Sequence, residues 1–288
     1  MRKLLSLFAA LLLLPCLSAR AEEDIFINRI ADSTIEFAFS EDAQLLEVFF
    51  PQISGCDAAL VRCGEDTILI DCAGSQWREV EAMLGKLGIT ELTYALNSHP
   101  DADHIGGFNH VLRNIPAGEF LLGFPENYDE GDSLRFKVYS DLHALGIPFR
   151  QVANGEQLAF GDALVTVYQA TEAHLNRVNN KSVVLKMTLG ERSILFTGDV
   201  QLDGQLCYVN DQTPLQADVM KFPHHGYKNM HPDFLSLVNP QLVVLTSGRS
   251  TAEGAKQLKD ANLLYYFTEK GILHLATDGK VWLVERIR

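Results

Sequence analysis

The chain has 288 residues, 47% of them apolar, and its formal net charge at neutral pH is −13. This length allows one large domain or two small ones with a substantial core, and the apolar fraction excludes a disordered or fibrous protein. Tight binding to long nucleic acids is not expected, because affinity for phosphates comes mostly from Lys and Arg and the sequence has no basic run.

The first residues have the features of a secretory signal peptide. Two cations precede an apolar run over residues 4–14, and residues 19–21 place alanines where a signal peptidase reads small side chains. An uncleaved anchor or a lipoprotein attached through Cys16 are the alternatives. We predict an exported protein with a signal peptide over 1–21, a single domain over 22–288 and no later membrane span. Cleavage would remove three cations and take the net charge from −13 to −16.

Four cysteines remain in the predicted mature chain, and an oxidising compartment favours disulfides between them. Four cysteines allow three pairings, between which the sequence does not choose, and buried free thiols are the alternative. No pair has C-x-x-C spacing, so a cysteine-ligated zinc site is not expected. The four residues are Cys56, Cys63, Cys72 and Cys207.

Strands and helices alternate along the chain, which predicts an α/β fold. The first predicted helix places Trp77, Val80 and Leu84 on one face and ends at Gly88. In the first half we predict strands over 45–50, 58–63, 67–72, 93–96 and 120–124, and helices over 75–87, about 105–113 and 134–145.

The second half is predicted to repeat this plan, so that each half is a sheet covered by helices. The turn Thr277-Asp278-Gly279 closes the last hairpin. Here we predict strands over 164–169, 182–188, 193–197, 219–222, 242–246, 264–267, 272–276 and 281–284, and helices over 232–238 and 252–261.

Four of the predicted strands end in an Asp or His group. In α/β proteins a rigid sheet holds the residues at strand ends in register, and sites form there. Four such endings in one chain therefore predict that these groups converge on one site. They are Asp71, then His99, Asp101, Asp103 and His104, then Asp199, and finally His224 and His225.

The segment HPDADHIGG, residues 99–107, has a spacing that suits two metal ions. Ligands at i, i+2, i+4 and i+5 can direct the first pair to one point and the second pair to another. Pro100 stiffens this loop, and Gly106-Gly107 allow the next helix to start close beneath the ions. Asp199 can bridge two cations, and His225 can complete the second set. Two metals about 3.5–4 Å apart can activate a shared water.

These motifs resemble those of the metallo-β-lactamase superfamily, whose signature is His-x-His-x-Asp-His followed by a bridging Asp and a last His. With TGD and PHHG downstream, HPDADHIGG is similar to the C-terminal domain of ComEC-type DNA-uptake proteins and their free-standing relatives. The resemblance runs from about Leu46 to the C-terminus. It implies a four-layer αββα sandwich with a dinuclear site along one edge.

The resemblance also implies a role for each residue. His99 and Asp101 would serve one metal, and Asp199 would lie between the two ions. Asp71 matches the Asp that orients the motif from behind the ligands. The second metal would be held by Asp103, His104 and His225.

The chain departs from the family pattern at several positions. Asp101 stands where the second His of the signature is usual, and this added carboxylate shifts metal preference from zinc towards manganese. Tyr227 replaces the Ser of HHGS, and residues 54–58 replace Gly-x-Gly-Asp-Ala. The superfamily's middle His has no clear counterpart. Candidates for a metal or substrate contact there are His174, Asn180 and Ser182.

We therefore predict an exported hydrolase that uses two divalent ions, zinc or manganese, to activate a hydroxide. Asp103 and His224 are its predicted catalytic residues, with His224 assisting the leaving group. Small or oligomeric phosphoesters, phosphodiesters above all, are the predicted substrates. The alternatives are hydrolysis of a lactam or lactone and a non-catalytic metal-binding module. Serine-hydrolase, Walker and dinucleotide motifs are absent from the sequence.

Overall fold

The structure is a computed structural model that describes residues 25–27, 39–40, 42–124, 133–170 and 178–287. These residues form two β-sheets, one of nine strands and one of seven. The strands are β1 (Ile25–Ile27), β2 (Leu46–Phe50), β3 (Ala59–Cys63), β4 (Asp66–Ile70), β5 (Leu92–Asn97), β6 (Ala117–Leu122), β7 (Phe149–Gln151), β8 (Gln157–Phe160), β9 (Ala163–Tyr168), β10 (Val184–Leu189), β11 (Arg192–Phe196), β12 (Val219–Lys221), β13 (Leu242–Leu245), β14 (Leu264–Phe267), β15 (Ile272–Thr277) and β16 (Trp282–Ile287).

The α-helices of the described residues cover the outer faces of both sheets. Short 3₁₀ turns at Gly74–Gln76 and Pro223–Gly226 lie between a strand and a helix, and one at Asn179–Lys181 lies between β9 and β10. The helices are α1 (Trp77–Lys86), α2 (Ala102–Ile105), α3 (Phe108–Val111), α4 (Ser133–Leu145), α5 (Leu202–Asn210), α6 (Pro232–Val238) and α7 (Glu253–Asp260).

The core has three parts, which correspond to the spaces between four layers. The inner faces of both sheets pack on each other through side chains such as Val48, Val61, Leu185 and Ile194. Helices α1 to α4 pack on the outer face of the first sheet, and α5 to α7 pack on the outer face of the second. The predicted αββα sandwich is confirmed.

The order of strands in the first sheet is β1-β16-β15-β2-β3-β4-β5-β6-β7, and in the second it is β14-β13-β12-β11-β10-β9-β8. Assigning the last two strands to the second half was therefore wrong. β15 pairs antiparallel with β2, with Leu275 opposite Val48, which returns the C-terminal hairpin to the first sheet. The inward side chains of this hairpin, Leu273 and Leu275, belong to the core between the sheets.

Most predicted strands and helices are observed within a few residues of their predicted ends. The helix predicted from Ile105 to about Arg113 is wrong: α2 and α3 are two short helices separated at Gly106-Gly107. The backbone there is tightly packed, since a Cβ on Gly107 would lie 1.8 Å from the carbonyl oxygen of Cys72. The predicted elements do not include β1, β7, β8 and α5, because these short or weakly patterned segments have no clear period.

Disulfides were the favoured prediction for the four cysteines, and the structure corrects it, because all four are free and buried. Their positions explain this outcome. Cys63 lies between the sheets and Cys207 lies under the helices of the second sheet, each in a core cluster that holds no other cysteine. Cys56 and Cys72 share the third cluster and are also unbridged.

None of the helices in the described part of the chain is long and apolar enough to cross a membrane. The predicted signal peptide over 1–21 lies outside the described residues.

Candidate metal centre

The predicted ligands lie together at one edge of the sandwich. β4 and β5 pair in parallel in the first sheet, and β11 and β12 pair in parallel in the second. Each of these strands is followed at its carboxyl end by one of the four polar groups. Because both parallel pairs end at the same rim, residues from Asp71 to His225 meet there although they are far apart in the sequence.

The Asp71 carboxylate holds the metal-binding motif of the first half in place. Its Oδ1 accepts hydrogen bonds from Asn97 Nδ2 (2.9 Å) and from the Ser98 backbone N–H (2.8 Å). Its Oδ2 accepts from Ser98 Oγ (2.6 Å) and from His104 Nδ1 (2.7 Å). Four donors thus fix this buried carboxylate, and the carboxylate in turn fixes the ring of His104.

These hydrogen bonds also set the tautomers of two histidines. His104 donates from Nδ1 to Asp71, so its Nε2 is left with a lone pair. The Ser98 hydroxyl gives its proton to Asp71, so towards His99 Nδ1, at 3.0 Å, the Ser98 oxygen can only accept. The Nδ1 of His99 therefore carries the proton, and its Nε2 also presents a lone pair.

Asp57 orients the third histidine in the same way. Asp57 Oδ1 accepts from His225 Nδ1 at 3.0 Å and from Thr246 Oγ1 at 2.5 Å. The His225 Nε2 then faces Asp103 Oδ2 at 3.1 Å. Since β3 is antiparallel to β4, the residue before β3 lies at the same rim as the end of β4, which is how Asp57 reaches the site.

All of these Nε2 atoms surround one oxygen of Asp199. The distance to Asp199 Oδ2 is 3.2 Å from His104 and 3.2 Å from His225. His99 Nε2 is 4.0 Å from the same oxygen and 3.6 Å from Asp101 Oδ2. Asp103 Oδ2 is 3.9 Å from His104 Nε2. The six predicted ligands therefore form one cluster about Asp199.

The Lys221 side chain lies beneath this cluster and is 3% exposed. Its ammonium contacts Asp57 Oδ2, donates to the Gly198 carbonyl at 2.9 Å and lies 3.4 Å from Asp199 Oδ1. Burial disfavours the charged amine, but the carboxylates of Asp57 and Asp199 outweigh it and raise the pKa of Lys221. Lys221 therefore neutralises part of the negative charge of the site.

The backbone around the site is held in conformations that L-residues rarely adopt. Asp71 has a φ of 57°, and consecutive left-handed residues His224 and His225 have φ values of 49° and 58°. Such residues cost roughly 1–3 kcal/mol each and persist where surrounding contacts over-determine them. Here the strained turn after β12 brings both imidazoles to the rim, which an ordinary helical turn would not do.

The carboxylates of the cluster favour positive charge on or near the imidazoles, as the pKa values of its members show. Burial disfavours the charged ring of His104, but Asp199 and Asp71 outweigh it and raise the pKa of His104 to about 10. Burial opposes protonation of His225 too, and Asp199 and Asp57 still raise its pKa well above the usual range. Burial would raise the pKa of Asp199, but the cations around it hold that pKa well below its usual range.

The residues present fit a divalent metal. The Nε2 atoms of His99 and His104 are buried and have no hydrogen-bond partner. Their lone pairs lie near a carboxylate oxygen, and the two repel each other unless a cation lies between them. A proton can supply that charge, as the raised pKa values indicate, and so can a metal ion. Imidazole nitrogens with carboxylate oxygens form a donor set that zinc and manganese accept.

Ligand atoms of Asp57, His104, Asp199 and His225 all lie within 4.8 Å of one another. Asp57 was not predicted as a ligand, and its contacts argue that it stands behind the ligands. It faces the Nδ1 side of both rings, 3.0 Å from His225 Nδ1 and 3.9 Å from His104 Nδ1, and its other oxygen contacts the Lys221 ammonium. Both oxygens of Asp57 are thus engaged behind the rings, whereas Asp199 keeps Oδ2 towards the Nε2 atoms of His104 and His225.

His224 lies beside the cluster and is partly exposed. Its Nε2 is 3.9 Å from Asp199 Oδ2, and its Nδ1 is 3.3 Å from Gln201 Nε2. Because the Gln amide nitrogen is a donor, the Nδ1 of His224 accepts and its Nε2 carries the proton. Burial lowers the pKa of His224, so at neutral pH this ring is an uncharged hydrogen-bond donor.

Of the remaining candidate residues, Ser182 and Asn180 hold loops and helix ends next to the site. Ser182 accepts from the Asp199 backbone N–H at 3.2 Å and so holds the loop of that residue. Asn180 is buried, and its Oδ1 accepts from the N–H groups of Gln201 (3.0 Å) and Gly204 (3.2 Å) at the start of α5. His174 lies outside the described residues.

Sequence analysis missed three residues that support the site. Asp57 lies in the segment that replaces Gly-x-Gly-Asp-Ala and precedes β3, whereas the predicted ligands follow strands, so the pattern of polar strand ends does not include it. Thr246 follows β13 and was included in a predicted strand. Lys221 gave the clearest signal, since a lysine inside the apolar strand before PHHG needs a buried partner.

Two packed sheets covered by helices, with a His and Asp cluster at the rim of both, define a metal-dependent hydrolase of the αββα class. A family model described as the metallo-beta-lactamase superfamily matches residues 53–231. The chain belongs to the metallo-β-lactamase superfamily.

The relatives agree with the resemblance noted in the motifs. ComE operon protein 3 of Bacillus subtilis (strain 168) is 27% identical over 204 residues, covering 64% of this chain and 26% of that protein. Recombination protein 2 of Haemophilus influenzae is 28% identical over 203 residues, covering 68% of this chain and 23% of that protein. The chain thus spans about a quarter of the length of these curated relatives.

A solved structure shares the fold. The metallo-beta-lactamase fold protein YhfI from Bacillus subtilis superposes with a TM-score of 0.53 at 11% identity, over 80% of this chain and 99% of that one. At this identity the likeness concerns the fold alone.

Proposed function

We propose that this chain is an exported phosphoesterase, and most specifically a phosphodiesterase, that works with two divalent metal ions. The observation that carries the proposal is the set of three imidazole Nε2 lone pairs directed at one oxygen of Asp199. When bound, divalent ions would activate a water and neutralise the charge that develops on phosphoryl oxygens. The proposed ligands are His99, Asp101, Asp103, His104, Asp199 and His225.

The charge of the site supports two ions. Five carboxylates and the Lys221 ammonium give the cluster a formal charge of −4 when its histidines are neutral, and two divalent ions neutralise this charge. The high share of oxygen ligands, with Asp101 beside His99, shifts the preference towards manganese, while the imidazoles keep zinc as the other candidate. The five carboxylates are those of Asp57, Asp71, Asp101, Asp103 and Asp199.

The protein's own groups have distinct tasks in this proposal. Asp71 and Asp57 hold His104 and His225 with their Nε2 atoms towards the ions. Asp103 is partly exposed and lies at the open side of the cluster, where it would contact both an ion and the substrate. His224 would donate a hydrogen bond from Nε2 to a phosphoryl or leaving-group oxygen, since its uncharged state makes it a poor acid.

The resemblance to ComEC-type DNA-uptake proteins, with recombination protein 2 among the relatives, supports a phosphodiester substrate, and the acidic charge of −13 favours small substrates over long nucleic acids. Nucleotides and short oligonucleotides are therefore the proposed class. Export through a signal peptide over 1–21 and a single hydrolase domain over 22–288 complete the proposal. Amino-terminal sequencing of the protein recovered outside the cytoplasm tests export, with Glu22 as the expected first residue, and limited proteolysis that leaves residues 22–288 as one resistant unit tests the single domain.

Hydrolysis is tested on protein stripped of metal and reloaded with zinc or manganese. Bis-p-nitrophenyl phosphate, a short oligonucleotide and nitrocefin form the substrate panel. We expect about two ions per chain and turnover of the phosphodiesters, with a loss of at least ~100-fold in Asp103→Ala. The matched control is Asp260→Ala, an exposed carboxylate on α7 paired with Lys256, which should keep full activity.

The panel also separates the alternatives. Turnover of nitrocefin without phosphodiester turnover would replace the proposal by lactam hydrolysis. Bound metal with no turnover of any substrate would favour a binding module, and a protein that holds no metal would end the hydrolase proposal altogether.

A further inference from the structure

Lys221 has an unusual position for a lysine, at the centre of a buried acidic cluster. It ends β12 and precedes the strained turn that carries His224 and His225. Its ammonium has three N–H donors and three oxygen neighbours: Asp57 Oδ2, the Gly198 carbonyl and Asp199 Oδ1. Each neighbour belongs to a segment that also shapes the metal centre.

The contacts divide each neighbouring carboxylate into two ends. Asp199 turns Oδ1 towards Lys221, at 3.4 Å, and Oδ2 towards the imidazoles of His104 and His225, at 3.2 Å from each. Asp57 turns Oδ2 towards Lys221 and Oδ1 towards His225 and Thr246. One ammonium thus determines which oxygen of Asp199 faces the ligands and which oxygen of Asp57 is available behind His225.

We propose that Lys221 is a positioning residue that limits Asp199 to one metal-facing oxygen and fixes Asp57 behind His225. The inference rests on the proposed function, because it concerns the same metal centre. Nothing in it requires Lys221 to touch the substrate.

Two physical effects support this role. A carboxylate with both oxygens free can chelate one ion through both, whereas a carboxylate with one oxygen held elsewhere is left to share the other between ions. Removal of the ammonium would also leave Asp57 as an unpaired buried charge, which would disturb its hydrogen bond to His225. The number of bound ions and their coordination should therefore both depend on Lys221.

Cobalt reports these changes directly, because its visible spectrum changes with coordination geometry. Co²⁺ is titrated into metal-free wild type, Lys221→Met and Lys186→Met. Lys186 lies in β10 of the same sheet and donates to the Pro214 carbonyl, so its variant is the matched control. In Lys221→Met we expect at least ~10-fold weaker Co²⁺ binding and an altered spectrum, as for other residues that support ligands. Lys186→Met should match wild type.

A second pair of variants keeps the test valid if Lys221→Met fails to fold. Asp57→Asn and the double variant Asp57→Asn with Lys221→Met share the change behind His225, and the double variant has no carboxylate at position 57 left unpaired. Any difference between them reports the remaining contacts of Lys221, which are those with Asp199 Oδ1, with the adjacent Gly198 carbonyl and with the amide at position 57. We expect the spectrum of the double variant to differ from that of Asp57→Asn.

The outcomes separate this inference from the proposed function. If wild type binds no Co²⁺, both fall. If wild type binds two ions and Lys221→Met binds them with affinity within about twofold and the same spectrum, the positioning role is wrong and the hydrolase proposal stands. Superimposable spectra in the pair carrying Asp57→Asn would overturn the positioning role in the same way.

Discussion

Two carboxylate–histidine pairs lie behind the site, and each fixes the orientation of one imidazole through different supporting contacts. Asp71 holds His104, and its remaining lone pairs are filled by uncharged donors, Asn97 and Ser98, from the adjacent strand. Asp57 holds His225, and its second oxygen contacts the Lys221 ammonium from the other sheet. The first pair is therefore complete within one sheet, whereas the second exists only when both sheets have come together.

The metal centre therefore has a local part, Asp71 with His104, built within one sheet, and an assembled part, Asp57 with His225 and Lys221, built between the two sheets. The hydrogen bonds of Asp71 with Asn97 and Ser98 require only the pairing of β4 with β5, since the register places Ile70 opposite Leu96. The Asp57 side needs the turn after β12 and the end of β13 as well. Substitutions on the two sides should consequently have different effects on stability and similar effects on metal binding.

The largest expected effect comes from Asp199→Asn, which removes the oxygen common to both sides. Without the charge of Asp199 the imidazoles lose their shared anionic partner, and we expect loss of at least one ion and a fall in hydrolysis of about 10³-fold or more. Metal analysis and steady-state kinetics measure these effects.

Asp218→Asn is the matched control for Asp199→Asn. Asp218 receives the Ser193 N–H at 2.8 Å in the same sheet but precedes β12, away from the rim. The Asp218→Asn protein should lose stability and keep its metal. Equal metal loss in both variants would show that the effect of Asp199→Asn is structural.

Next in size is the difference in stability between Asp57→Asn and Asp71→Asn. Breaking the buried pair of Asp57 and Lys221 should lower the free energy of unfolding by about 3–5 kcal/mol. Asp71→Asn removes the acceptor of Asn97 and Ser98 and one of the two carboxylate partners of the protonated His104 ring, which keeps Asp199, so we expect a smaller loss of about 1–3 kcal/mol. Urea unfolding of the metal-free proteins gives both values. Equal losses would break the distinction between the two sides.

The pH dependence of metal binding tests a property common to both parts of the site, the raised pKa of its histidine. In the metal-free protein the pKa of His104 is raised from 6.5 to about 10, and that of His225 is also raised. A raised pKa means that protonation stabilises the metal-free fold fully below pH 6.5, and that this stabilisation is lost as the pH rises towards 10. Metal must displace those protons, so its affinity should rise about tenfold per pH unit for each proton released between pH 7 and 9.

Calorimetry of metal binding in buffers with different ionisation enthalpies counts the released protons. The account predicts between one and two protons at pH 7. An affinity that stays constant from pH 7 to 9, with no proton release, would contradict the assigned histidine states.

The smallest expected effect concerns Asn180. Its side chain accepts two N–H groups at the start of α5, so Asn180→Ala should lower the free energy of unfolding by about 1 kcal/mol, as loss of a helix cap does. Metal content should stay at the wild-type value. Loss of an ion in this variant would show that Asn180 is a ligand after all.

The sequence predicts the local part of the site better than the assembled part. Side chains of HPDADHIGG lie within nine residues of each other, and their spacing is itself the signal for metal binding. Asp199 and His225 were found because each follows an apolar strand. Asp57 has no such mark, because it precedes an antiparallel strand. The lysine in the apolar strand β12 indicates a buried partner, but the identity of that partner depends on contact between two sheets.

The same limit applies to the fold. The two halves and their alternating strands could be read from apolar periodicity, but the return of β15 and β16 to the first sheet could not. Pairing of Leu275 with Val48 joins residues that are far apart along the chain, and hydrophobic patterning alone does not specify such partners. Gly106-Gly107 likewise indicated a helix that starts close beneath the ions, but not a break between two helices.

A crystal structure of the manganese- or zinc-loaded protein, with anomalous data at the metal edge, tests the central claim most directly. The account predicts two anomalous peaks bound by the Nε2 atoms of His99, His104 and His225, with Oδ2 of Asp199 between them and Oδ1 on Lys221. Loaded crystals without an anomalous peak among these atoms would contradict it.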